Sequence, residues 1–244
     1  MLLFRSDGVP TETDLQIESA SMFEISNQGL EKWSDAWRRR ELARAFNFPG
    51  KFDGWEDLAD AFQREGNYDL AIKVWEKGVE KHQFASDRGY FETELVRAYD
   101  TKVLHDDPIE VYEKAVEDHP SSNILCLRLR NSLKAKGDYQ RMVRVFEQLF
   151  KNHPTQSKFP LYLAEGYDAI GDGDKAIDVL EKAIQVHVRE PALFLALADK
   201  SIARNNCDRA IDVLKISERH FYSIESEYSN IRCRIADSSN HMSP

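Results

Sequence analysis

Residues 157–190 read SKFPLYLAEGYDAIGDGDKAIDVLEKAIQVHVRE. Leu163, Ala164 and Tyr167 lie on one face of a helix, and Ala176, Leu180 and Ala183 on one face of a second. Between them stands Gly171-Asp172-Gly173, a stop and a fresh start. The stretch therefore predicts two helices joined by a tight turn. Its landmarks recur at one spacing along the chain. Gly137, Gly171 and Asn205 are 34 residues apart, as are Leu129, Leu163 and Leu197, Pro120 and Pro154, and Ala176 and Ala210. A constant period in this range predicts stacked copies of one supersecondary unit.

Laid out from this stretch, the repeats are 52–85, 89–122, 123–156, 157–190 and 191–224, with three extra residues after the first. In the first, Trp55, Leu58, Ala59 and Phe62 make one helical stripe and Ala71, Ile72, Trp75 and Val79 a second, with Asp69 expected to cap the second helix. The fifteenth position is Gly66, Gly137, Gly171 or Asn205, residue types that accept the left-handed backbone ending a helix. The second repeat has Val103 there. Its second helix is expected to start later, at Asp107-Pro108, with proline in the first turn. No stretch alternates with period two long enough to make a strand. The fold class predicted is all-α: a right-handed solenoid of antiparallel helix pairs.

These residues resemble the tetratricopeptide repeat family, whose 34-residue unit carries a Trp-x2-Leu-Gly-x2-Tyr, Ala, Phe, Pro pattern. Trp55, Leu58, Ala59, Phe62, Ala71 and Trp75 match it in the first repeat, and Leu163, Ala164, Tyr167, Ala176, Leu180 and Ala183 in the fourth. The resemblance covers 52–224. Arg130, Met142 and Leu149 stand where the family prefers small residues, so the third repeat is expected to pack loosely or to splay. Val111-Tyr112-Glu113-Lys114-Ala115 also resembles the half-a-tetratricopeptide variant of RNA-processing scaffolds, which is kept as the alternative.

The ends read differently. Residues 1–28 are polar without a clean period and are expected to be disordered. A stripe of Leu30, Trp33 and Trp37 predicts a flanking helix over 29–48. Tyr228, Ile231 and Ile235 predict a closing helix over 225–237, followed by a disordered tail, 238–244. Terminal covers of this kind shield the open flank of a repeat stack.

Composition excludes several function classes. The chain has 244 residues, a formal charge of −9 and a mean hydropathy of −0.56. A negative chain lacks the basic face of a general nucleic-acid binder, and no apolar run approaches the ~20 residues that cross a bilayer. Three unclustered cysteines give neither a disulfide framework nor a zinc site, which points to a reducing compartment, the cytoplasm by default with the nucleus open. His82, His119, His153 and His187 recur with the repeat, but equivalent positions lie ~10 Å apart in packed helices, too far to share one metal at ~2 Å. They are expected instead to complement helix C-termini. Cys126 takes the tryptophan place of its repeat and is expected in the core. Gly171-Asp172-Gly173-Asp174 lacks the remaining ligands of a calcium loop. With no phosphate loop, dinucleotide turn or nucleophile–base motif, neither a cofactor nor enzymatic activity is expected.

The resemblance implies that the first helix of each repeat lines an inner groove. The expected partner site is Asp53, Glu56, Asp57 and Asp60 in the first repeat; Tyr90 and Arg97 in the second; Leu127, Arg128 and Asn131 in the third; Lys158, Leu161 and Tyr162 in the fourth; and Leu195 in the fifth. A carboxylate clamp for chaperone C-terminal tails is excluded, because Glu56 and Asp60 stand where lysine and asparagine are needed and would repel a carboxylate. The function expected is a non-catalytic scaffold that holds a protein or peptide partner, with self-association as a further possibility.

Overall fold

A computed structural model describes residues 53–81 and 88–218, and among the described residues every regular element is a helix, with no strand. The predicted flanking helix, closing helix and terminal tails lie outside them. The helices are α1 (Asp53–Arg64), α2 (Tyr68–Lys81), α3 (Arg88–Val103), α4 (Pro108–Asp118), α5 (Asn123–Lys136), α6 (Tyr139–Asn152), α7 (Lys158–Ala169), α8 (Gly173–Val186), α9 (Pro191–Ala203) and α10 (Cys207–Glu218). None is long and apolar enough to cross a membrane. The chain divides into two compact units at Asp107–Pro108.

The turn chemistry explains the period. Gly66, Gly137, Gly171 and Asn205 have φ of +77°, +71°, +83° and +58°, so the fifteenth position does turn left-handed in four repeats. The next residue starts the second helix. Asp138, Asp172 and Asn206 accept from the backbone N–H groups of Arg141, Lys175 and Arg209 at 3.0, 3.4 and 3.1 Å. In the first repeat the expectation needs correcting. The helix begins at Tyr68, so Asp69 lies within its first turn rather than capping it, and its carboxylate pairs with Lys102 at 2.5 Å. The second repeat has no left-handed residue, so α3 continues to Val103 and α4 begins at Pro108, later than the other second helices, as the sequence predicts.

In the first unit, α2 packs against both α1 and α3. Its core is aromatic: the buried ring of Phe91 lies 5.7 Å from Trp55 and 6.1 Å from Trp75, centroid to centroid. Gly78 on α2 makes room for it. In the second unit each helix packs on the next from α4 to α10, and α7 also touches α5 and α9. Where the repeat places alanine, helices approach closely: Ala164, Ala176, Ala183, Ala198 and Ala210 are buried. Met142 and Leu149 fill the equivalent places in the third repeat, and α5 and α6 meet over a shorter stretch than α7 and α8. Bulk at a close-packing position holds the pair apart.

Consecutive repeats are tied by a glutamate that recurs at the twenty-fifth position. Glu76 accepts from Tyr99 at 3.3 Å, and Glu113 takes both Nε and Nη2 of Arg141 at 2.7 and 2.8 Å. Glu147 accepts from Tyr167 at 3.4 Å, and Glu181 pairs with Arg209. The donors come from the eleventh or nineteenth position of the following repeat.

Candidate functional site

The first helices of the third, fourth and fifth repeats, α5, α7 and α9, are neighbours in the second unit, so their matching positions form one surface. Ile124 and Leu127 on α5 are 51% and 43% exposed. Leu161 and Tyr162 on α7 and Leu195 on α9 are half-buried. Tyr162 is backed by Phe146 of α6, edge to face at 5.3 Å, and the Arg130 guanidinium stands 5.8 Å from its ring centre. An apolar strip thus runs across three helices with an aromatic shelf at its middle.

Charge flanks the strip in a fixed pattern. Arg130 Nε and Nη2 both donate to the Glu165 carboxylate at 2.6 Å, Lys134 Nζ donates to it at 2.9 Å, and Arg130 Nη1 donates to Asn131 Oδ1 at 3.1 Å. Burial pushes the Glu165 carboxyl up, but hydrogen bonds from Arg130 and Lys134 outweigh it and hold the group below its ordinary range. Lys200 pairs with Asp168 farther along. Arg128 is exposed and Lys158 half-buried on the same surface.

Because its folded pKa is depressed, Glu165 contributes stability above the unfolded carboxylate pKa of ~4.3, and that contribution is lost as pH falls through the lower folded value. The Arg130 and Glu165 side chains are only 25% and 28% exposed, so Glu165→Gln should cost the second unit about 1 kcal/mol at neutral pH. Urea unfolding at pH 7 and pH 3 checks this: the difference between wild type and variant should shrink in acid. A difference independent of pH would show that the carboxylate charge is not what binds Arg130.

The remaining expected site residues lie in the first unit. Glu56, Asp57 and Asp60 are exposed on α1, and the side chain of Asp53 is outside the description. Tyr90 is half-buried beside Trp75 and Phe91, and its hydroxyl donates to Glu56. Burial, then the Glu56 carboxylate, push that hydroxyl upward. Asp60 lies 3.6 Å from Arg64, and exposed Arg97 is held by Glu94 at 2.7 Å. Two charges that the sequence offers to a partner are therefore already answered within their own helices.

The sequence marks Arg130 only as a misfit, and it places Lys134 and Glu165 at groove-facing positions but outside the expected partner site. The available signal was a cation at a small-residue position and a carboxylate 35 residues later, at the adjoining place of the next repeat. The histidine column has a structural role at His187, whose Nε2 meets the Pro154 carbonyl of the preceding repeat at 2.8 Å, while the His153 ring stands edge-on to Phe159. His82 lies outside the described residues. Among the described residues no three His, Cys, Asp or Glu side chains gather to hold a metal. Cys126 is buried, and burial pushes its thiol up to about 11, so it is neutral at physiological pH. Cys207 is partly exposed.

No protein-family model matches the chain, and no curated protein does. Among solved structures, one of MamA is 19% identical over 68% of this chain and 89% of its own, with a TM-score of 0.42. MamA from AMB-1 is 20% identical over 70% and 93%, also at 0.42. A putative kinesin light chain of Podospora anserina with nearly identical TPR-like repeats is 22% identical over 70% and 95%, at 0.39. The tetratricopeptide-like repeat fold of this chain stands on its own helix pairs, not on these likenesses.

Proposed function

We propose that the chain is a non-catalytic scaffold whose second unit holds a partner peptide or helix on the surface made by α5, α7 and α9. The observation that carries this reading is the apolar strip. Ile124 and Leu127 are exposed large apolar residues among the described ones, and they continue into Leu161, Tyr162 and Leu195 without a break in the repeat pattern. Contiguous exposed apolar surface marks interaction sites, and a rigid aromatic among aliphatic anchors is the composition that dominates binding energy. Arg128, Asn131 and Lys158 supply a polar rim that sets orientation and on-rate more than affinity. On the first unit, exposed Glu56 and Asp57 offer an acidic face to a basic partner segment, with Tyr90 beside it.

The test uses the full chain as bait, with cross-linking mass spectrometry on complexes taken from cells. Cross-links should fall on Lys134 and Lys158. Leu127→Glu should weaken capture at least ~30-fold, the equivalent of about 2 kcal/mol at a central anchor. Lys182→Glu, on exposed α8 surface, should not. Since Leu127 is exposed, helicity should be unchanged, so loss of capture reports the surface rather than the fold. Undiminished capture of the same partners by Leu127→Glu would reject the reading.

A further inference from the structure

Helices α5 and α7 carry only two carboxylates between them, and both are answered. α5 has none. On α7, Glu165 accepts from Arg130 and Lys134, and Asp168 pairs with Lys200 of α9. The cations are not all answered in return. Lys158 makes no ion pair among the described residues. Lys134 is 50% exposed and shares Glu165 Oε1 with Arg130, which grips both carboxylate oxygens by itself. Arg128 and Lys136 already have interactions of their own, so neither enters this balance.

Place decides what the two lysines can do. Ile124 and Lys158 hold the second position of their repeats, Leu127 and Leu161 the fifth, Tyr162 the sixth and Lys134 the twelfth. Lys158 and Lys134 therefore stand at opposite ends of the apolar strip, about 15 Å apart along the helix axes. A neutral or basic segment lying on the strip would take water from both ammonium groups and give nothing back. A segment with a carboxylate at each end answers both.

We propose that the occupant of this surface is a partner segment with an apolar centre flanked by two carboxylates, one meeting Lys158 and the other drawing Lys134 from Glu165. Arg130 keeps its grip on Glu165 when Lys134 turns away, so the exchange strands no charge. The two ligand carboxylates stand about ten residues apart in a helical segment and about five apart in an extended one. The proposal rests on the reading of this surface as the binding face and adds the chemistry of the ligand.

The probe is a phage-displayed library of random peptides, each of about sixteen residues to span either spacing, selected on the full chain and counter-selected on Leu127→Glu. Clones that depend on Leu127 should carry Asp or Glu on both sides of apolar residues. Made as labelled peptides and titrated by fluorescence anisotropy, they should bind Lys134→Gln with Lys158→Gln about tenfold more weakly, the sum of two exposed charge contacts. The loss should shrink between 0.1 M and 1 M salt, where the screening length falls from about 10 Å to about 3 Å. Glu→Gln peptides should lose the same factor on the unaltered chain, which reads the contact even if the lysine variant disturbs the fold. Leu127-dependent clones that are neutral or basic, or that ignore both exchanges, would overturn the proposal while leaving the surface a binding face. A selection that yields no clone distinguishing Leu127→Glu from the unaltered chain would reject the binding face itself, and the proposal with it.

Discussion

Phe146→Ala is expected to lower the unfolding free energy of the second unit by about 3–5 kcal/mol, the range for emptying a fully buried aromatic site. The ring is completely buried, tilted against Phe159 at 6.2 Å and edge to face with Tyr162 at 5.3 Å. Those pairings add about 0.5–1.5 kcal/mol each to the area it buries. Collapse around the cavity is restricted, because Gly166 already brings α7 so close to α6 that a Cβ there would stand 3.1 Å from Val143. The effect reaches the binding surface as well. Tyr162 loses its backing, so partner capture should weaken even where the variant is still folded. Urea unfolding followed by far-ultraviolet circular dichroism measures the first effect and the capture assay the second. A loss under about 1 kcal/mol would show that the aromatic shelf is not packed as described.

Gly78→Ala is expected to destabilise the first unit by about 2 kcal/mol, within the range for overpacking a core. The sign is the informative part. In an exposed helix interior the same exchange stabilises by up to about 1 kcal/mol. Here an added Cβ would lie 2.4 Å from Cδ1 and 2.8 Å from Cε1 of Phe91. That ring is itself completely buried and wedged between Trp55 and Trp75, so it has nowhere to turn. Phe91→Leu in the same chain should recover part of the loss, since a narrower side chain relieves the contact. A stabilised Gly78→Ala protein would mean that α2 and α3 are free to move apart.

The helix pairs were legible because their punctuation is local. A left-handed residue at the fifteenth position and an oxygen-bearing side chain at the sixteenth act on their own backbone within four residues, and the 34-residue spacing multiplies a weak signal. The reading of Asp69 missed by two residues for the same reason: Asn67 holds the capping place in that repeat, and two polar candidates lay within one turn. The electrostatics of the surface were less legible. Whether Arg97 faces a partner or Glu94 depends on which rotamer the helix permits, and the grip of Arg130 on Glu165 depends on how two repeats stack. The inter-repeat glutamates escaped notice because their partners change in kind, tyrosine in one repeat and arginine in another, so no single residue type repeats opposite them.

That glutamate has a consequence for how such a chain changes length over generations. Each tie joins one repeat only to the next, and in the arginine ties the distance along the chain is constant: Glu113 to Arg141 and Glu181 to Arg209 both span 28 residues. Excision of 157–190 would bring Glu147 to that same 28-residue separation from Arg209, restoring a tie of the kind already present. The joints are therefore interchangeable parts. A gene that gains or loses a multiple of 34 codons in this region keeps its connectors in register, whereas any other step would leave one carboxylate and one guanidinium stranded at the seam.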